Sequence, residues 1–191
     1  MLTALAKPFT GMKPNTLTWI GFILSLLASY LIYTGIFWLL PIIGIIVFAS
    51  SLFDALDGKV ARMTHRTTKK GDFLDHVLDR YADVFLIGAI ALSRYCSLLI
   101  GMMAIIGVLL TSYMGVQAQA LGCGRSYHGI LGRAERQVLL TITPFIQFAL
   151  GLQPIWHFTV FEYVMLWFAV GGNITAIYRA FKVWPLLKNG Y

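Results

Sequence analysis

The sequence predicts an all-α, polytopic membrane protein with six transmembrane helices behind a short N-terminal interfacial segment. Three observations carry this. Hydrophobic residues make up 58% of the chain and charged residues 12%, whereas a soluble domain carries about 25% charged residues. Apolar runs of spanning length recur between short polar or glycine-containing breaks, and roughly 20 apolar residues cross a bilayer. The loop charges alternate, with Lys and Arg gathered on one side and Arg94 alone on the other. At 191 residues the chain is expected to form a single membrane domain, 1–191.

Residues 1–13 are short, mildly apolar and basic, which suits an interfacial segment. Pro14 stops it, and Asn15 is placed to cap the first span. That span is expected over Leu17 to Thr34 and ends at Gly35. The second runs from Ile36 to about Arg62, longer than a bilayer needs, so its last turns reach the interface. A basic loop over residues 63–71 leads to a third helix from near Asp72, whose carboxylate suits a helix N-terminus. The fourth is expected from Ser97 to about Leu121, followed by a glycine-rich basic loop over 122–132. The fifth runs from about Arg133 to Leu150, and the sixth from about Trp156 to Phe181. Gly101 and Gly107 suit close helix packing. Trp38, Trp156 and Trp184 fall near span ends, where aromatic belts form. By the positive-inside rule both termini are cytoplasmic, in a multi-pass protein of the cell membrane.

The acids are concentrated. The chain has 8 Asp plus Glu, and Asp54, Asp57, Asp72, Asp75, Asp79 and Asp83 crowd the second and third helices where they meet the cytoplasmic loop. Ionisable groups in or beside spans are costly, which makes a functional site the default reading. Asp54 and Asp57 are i,i+3, and Asp75 and Asp79 are i,i+4, so each pair shares a helix face. The intervening loop lets the two helices run antiparallel and the pairs converge. Carboxylates that close repel unless a cation sits among them, and all-oxygen ligation suits a hard divalent ion such as Mg²⁺, Mn²⁺ or Ca²⁺. Gly58 and Ala61 leave a bare strip for a bulky ligand, while Arg62, Lys69 and Lys70 add charge for phosphate. The combination describes a metal–phosphate site on the cytoplasmic side.

The run Asp54-x-x-Asp57-Gly58-x-x-Ala61-Arg62, eight residues, then Gly71-x-x-x-Asp75-x-x-x-Asp79, resembles the signature of the CDP-alcohol phosphotransferases at every fixed position and gap. The resemblance implies a homodimeric enzyme that uses Mg²⁺ or Mn²⁺ to pass a phosphatidyl-type group from a CDP-linked lipid to a small polar alcohol, releasing CMP. It implies metal ligation by Asp54, Asp57 and Asp75. Asp79 would be the catalytic base and touch the metal as well. Gly58 and Arg62 match positions that contact the CDP portion, with Ala61, Thr68 and Gly71 beside them. Pro14-Asn15-x-x-Thr18 looks like a segment found near the nucleotide in many members, which sets a binding role for Asn15 and Thr18 against plain helix capping.

Gly132-Arg133-Ala134-Glu135-Arg136 is similar to the Arg-x-Glu-Arg of members that use inositol phosphate. Arg179 falls where those members carry another phosphate-binding arginine. Arg133, Arg136, Arg179 and Arg125 are therefore the candidate acceptor-binding residues. One departure stands out: such members usually have a Lys near the position of Gly115, where this chain has Gly115, Gln117 and Gln119. Inositol phosphate is the expected acceptor, with glycerol phosphate next and a soluble CDP-alcohol donor as a further alternative. From another class, the carboxylates would also suit a cation transporter, although Gly58, Ala61, Arg62 and the basic loop would have no task there. The charge of +7 and pI ≈ 9.6 fit basic cytoplasmic loops facing anionic lipid, not nucleic acid. Cys96 and Cys123 are expected at opposite membrane faces, which argues against a disulfide or metal pair between them.

Overall fold

The computed structural model describes residues 2–124 and 129–187. A short helix, α1 (Leu2–Ala6), and a 3₁₀ turn, Lys7–Phe9, precede six long helices. These are α2 (Pro14–Tyr33), α3 (Leu40–Met63), α4 (Lys69–Leu92), α5 (Leu98–Ala120), α6 (Arg133–Leu150) and α7 (Val160–Leu187). Helix α2 packs on α3 and α4, α4 on α5, α5 on α7, and α6 joins α7 back to α3. The six helices thus close a ring around a core of Ile43, Val47, Leu86, Ile90 and Phe168.

Glycines set the crossings. A Cβ on Gly172 would lie 2.6 Å from the Gly107 carbonyl carbon, and one on Gly107 would lie 2.7 Å from the Phe168 oxygen. Only glycine permits this α5–α7 approach, as expected where apolar helices associate by close packing. Between α2 and α3, the Ser50 hydroxyl donates to the Gly21 carbonyl at 2.7 Å. Gly35, at φ 69°, turns the chain after α2, and its carbonyl accepts from the Tyr95 hydroxyl at 3.0 Å.

Several boundaries differ from expectation. Helix α2 begins at Pro14, with Lys13 at the N-cap and no side-chain cap bond, so Asn15 is not the cap. Proline's missing N–H costs nothing at N1. A 3₁₀ turn, Phe37–Leu39, precedes α3, which starts at Leu40. Helix α4 starts at Lys69, because Thr68 is its N-cap and accepts from the Gly71 N–H at 3.0 Å; Asp72 lies in the first turn instead. Helix α7 starts at Val160 rather than near Trp156. Thr159 and Glu162 cap it reciprocally, the Thr159 N–H donating to Glu162 Oε2 at 3.0 Å and the Glu162 N–H to Thr159 Oγ1 at 3.1 Å.

Among the described residues, four helical stretches, Pro14–Tyr33, Phe37–Met63, Leu98–Ala120 and Val160–Leu187, are long and apolar enough to cross a membrane by length and composition. The six-span expectation reaches further than this measure, since α4 and α6 spend their first turns on charged residues.

Candidate active site

The last turns of α3 and the first turns of α4 carry the acids to one place. Oxygens of Asp54, Asp57 and Asp75 all lie within 4.8 Å of one another. Asp57 is 6% exposed, and its Oδ2, like Asp75 Oδ1, is buried without a hydrogen-bond partner. Buried anionic oxygens left bare are costly unless a cation meets them. These residues therefore fit a hard divalent ion by position and by donor chemistry.

Asp79 stands slightly apart. It groups with Asp75 and His76, again within 4.8 Å, while Arg133 from α6 lies between Asp79 and Asp54. One guanidinium nitrogen of Arg133 pairs with Asp54 Oδ1 at 2.5 Å and also with Asp79 Oδ1. The expected four-carboxylate group is thus three acids in one cluster, with Asp79 joined to it through Asp75 and through Arg133.

Two cavities flank the acids. The smaller, of about 210 Å³, is lined by Asn15, Thr18, Gly58, Ala61, Arg62, Thr68 and Gly71, together with Asp57 and Asp75. Every residue expected at the nucleotide is gathered here, from α2, α3, α4 and the loop between α3 and α4. A Cβ on Gly58 would meet only the Arg62 guanidinium, at 3.7 Å, so the missing side chain opens the cavity rather than relieving a clash. Arg66 and Thr67 also line it; the sequence singled out neither for this role, although both lie in the basic loop.

The larger cavity, of about 610 Å³, lies on the other side of Asp79. Arg133, Arg136 and Arg179 line it, while Arg125 lies outside the described residues. Arg136 pairs with Asp83 at 3.1 Å, and Arg179 donates to the Thr111 carbonyl at 2.6 Å. Gly115 is on the α5 wall, and Arg80 reaches across from α4 to bond Ser112 there. Arg80 was missed as a cavity residue. Its signal was local, since it follows Asp79 and precedes Asp83 by three residues. The loop before α6 is held to α7 by Thr175, whose hydroxyl accepts from Ile130 N at 3.2 Å and Leu131 N at 3.1 Å. Cys96 offers no nucleophile, because burial pushes its thiol up to about 12.

Clustered acids with two orphaned buried oxygens, between a cavity with a phosphate-type arginine and a cavity walled by cations, fit a membrane phosphotransferase. The chain belongs to the CDP-alcohol phosphatidyltransferase family, whose profile it matches over residues 12–175. It is an enzyme of phospholipid biosynthesis, and the cation-transporter alternative falls with that membership. The chain is similar to the archaetidylinositol phosphate synthase of Pyrococcus horikoshii, with 38% identity over 132 residues covering 69% of each protein. The same-named protein of Methanothermobacter thermautotrophicus is 34% identical over 140 residues, covering 73% of this chain and 68% of that one. The fold is that of Mycobacterium tuberculosis phosphatidylinositol phosphate synthase, solved with CDP-DAG bound, at TM-score 0.77 and 24% identity over 96% of this chain and 94% of that one.

Proposed function

We propose that the chain transfers a phosphatidyl-type group from a CDP-linked lipid to the hydroxyl of inositol phosphate, releasing CMP. One observation carries the acceptor: the cavity beside Asp79 is lined by Arg133, Arg136 and Arg179, cations suited to a phosphate that an uncharged alcohol would not need. The names of the archaeal relatives support the same reading. Arg80, drawn over to Ser112, puts a cation on the wall where Gly115 offers none.

Asp54, Asp57 and Asp75 would hold the divalent cation, Mg²⁺ or Mn²⁺. When bound, it neutralises the diphosphate and steadies the departing CMP. Arg62 holds phosphate oxygens of the donor, with Gly58 and Ala61 letting the cytidine portion lie against α3. Asp79 accepts the proton of the attacking hydroxyl. A new P–O bond forms at the lipid-side phosphorus as the anhydride bond breaks, so no covalent enzyme intermediate is required. The acceptor arginines fix the hydroxyl's approach by gripping the acceptor's phosphate.

The charge bias of the loops supports a site and termini facing the cytoplasm. The family resemblance supports a homodimer and a single catalytic membrane domain. The test is CMP release by purified protein offered CDP-diacylglycerol or CDP-archaeol with inositol phosphate, inositol, glycerol phosphate or serine. Turnover with inositol phosphate that stops in chelator is expected. Turnover with glycerol phosphate or serine alone would overturn the acceptor.

A further inference from the structure

Asp83 takes no part in the reaction as described, yet it is 4% exposed and meets two cations. Its Oδ2 lies 3.1 Å from Arg136 Nη2 and 3.5 Å from Arg80 Nη2. Arg80 Nη2 is also 3.8 Å from Asp79 Oδ2. The charges alternate in a chain across three helices: Asp54, Arg133, Asp79, Arg80, Asp83, Arg136.

We propose that Asp83 is a positioning residue for the transfer reaction, holding Arg80 and Arg136 so that one faces the base and the other faces the acceptor. Both arginines line the large cavity, while Asp83 lies one layer behind it, lining a small void with Ser50 and Gln137. That placement has a chemical reason. A carboxylate in the wall would repel an anionic acceptor. One layer back, it orients the cations without adding a second carboxylate to a wall that already holds Asp79. Without it, Arg136 faces Arg80 and Arg133 with no carboxylate in ion-pair contact, only the more distant Asp79, and the carboxylate left beside Arg80 is also Asp79. Arg80 then draws on Asp79, and Arg136 turns from the cavity. The bland alternative, a buried ion pair that only locks α4 to α6, predicts lost stability and nothing more.

The inference rests on the proposed acceptor chemistry, and its test separates the two. Purified Asp83→Asn, Asp83→Glu, Arg136→Gln and the double variant Asp83→Asn/Arg136→Gln are assayed for CMP release, varying acceptor and donor in turn. Asp83→Asn is expected to raise the acceptor KM by about tenfold or more and to lower kcat, with the donor KM within about twofold. The double variant should lose less than the two single losses combined, because only the hold on Arg80 is left for Asp83→Asn to remove. Asp83→Glu keeps the charge but displaces it, so it should shift acceptor KM while folding normally, which keeps the test available if Asp83→Asn does not fold. Unchanged KM values with kcat falling only in step with the folded fraction would overturn the inference, as would additive losses in the double variant. If wild type proves to use another anionic acceptor, the acceptor assignment fails, and the same split is read with that acceptor.

Discussion

Replacing Asp57 by Asn should stabilise the protein in chelator and disable it in metal. The oxygens of Asp54, Asp57 and Asp75 lie within 4.8 Å of one another. Unit charges at that separation repel by about 3.5 kcal/mol at an effective dielectric near 20. Asp57 meets two such neighbours. Their side chains are 29% and 25% exposed, and Arg133 already pairs with Asp54, so screening leaves a net relief of about 1–2 kcal/mol. In chelator the variant should therefore melt about 2–8 °C above wild type. In Mn²⁺ the order reverses. Losing one of three anionic ligands should raise the concentration needed for half-maximal activity by about 100-fold, and the metal-dependent rise in melting temperature should shrink with it. Tryptophan fluorescence on heating, with and without Mn²⁺, reads the first effect; CMP release against Mn²⁺ reads the second. A variant that melts below wild type in chelator, yet keeps the full Mn²⁺-dependent rise, would refute the reasoning.

Three further outcomes are expected. Asp79→Asn should lower kcat by about 10²–10⁴ with donor KM little changed, measured by CMP release under saturating acceptor. Arg62→Lys should raise the CDP-lipid KM by about tenfold, because a point charge replaces a two-pronged donor, while the acceptor KM holds; full kinetics in both substrates check this. Gly107→Val places a Cβ 2.7 Å from the backbone oxygen of Phe168 and should cost about 1–3 kcal/mol or more, read as a lower melting temperature and loss of the monodisperse peak in detergent.

The long helices were legible because each is local, although the ring they close was not. Runs of apolar residues marked them, and Gly101 and Gly107 marked close approaches before any neighbour was known. The acids were legible for the same reason: i,i+3 and i,i+4 spacing fixes a helix face without tertiary information. The charge chain was not. Asp83 and Arg136 are 53 residues apart and meet at 3.1 Å, and no periodicity links α4 to α6. The role of Arg133 between Asp54 and Asp79 was hidden likewise, since the sequence assigned it to the acceptor and could not see it reach the acids. Some misses were local and avoidable. Thr68 competes with Asp72 for the cap of α4, and Thr-x-x-Glu before an apolar run announces the start of α7 at Thr159.

The most direct measurement is electron–nuclear resonance on bound Mn²⁺ in the purified protein with a CDP-linked lipid. The account predicts one class of Mn²⁺ that shows coupling to ³¹P once donor is added, and whose binding is lost in Asp54→Asn, Asp57→Asn and Asp75→Asn alike. Mn²⁺ that binds those variants as well as it binds wild type, or that never senses phosphorus, would contradict it.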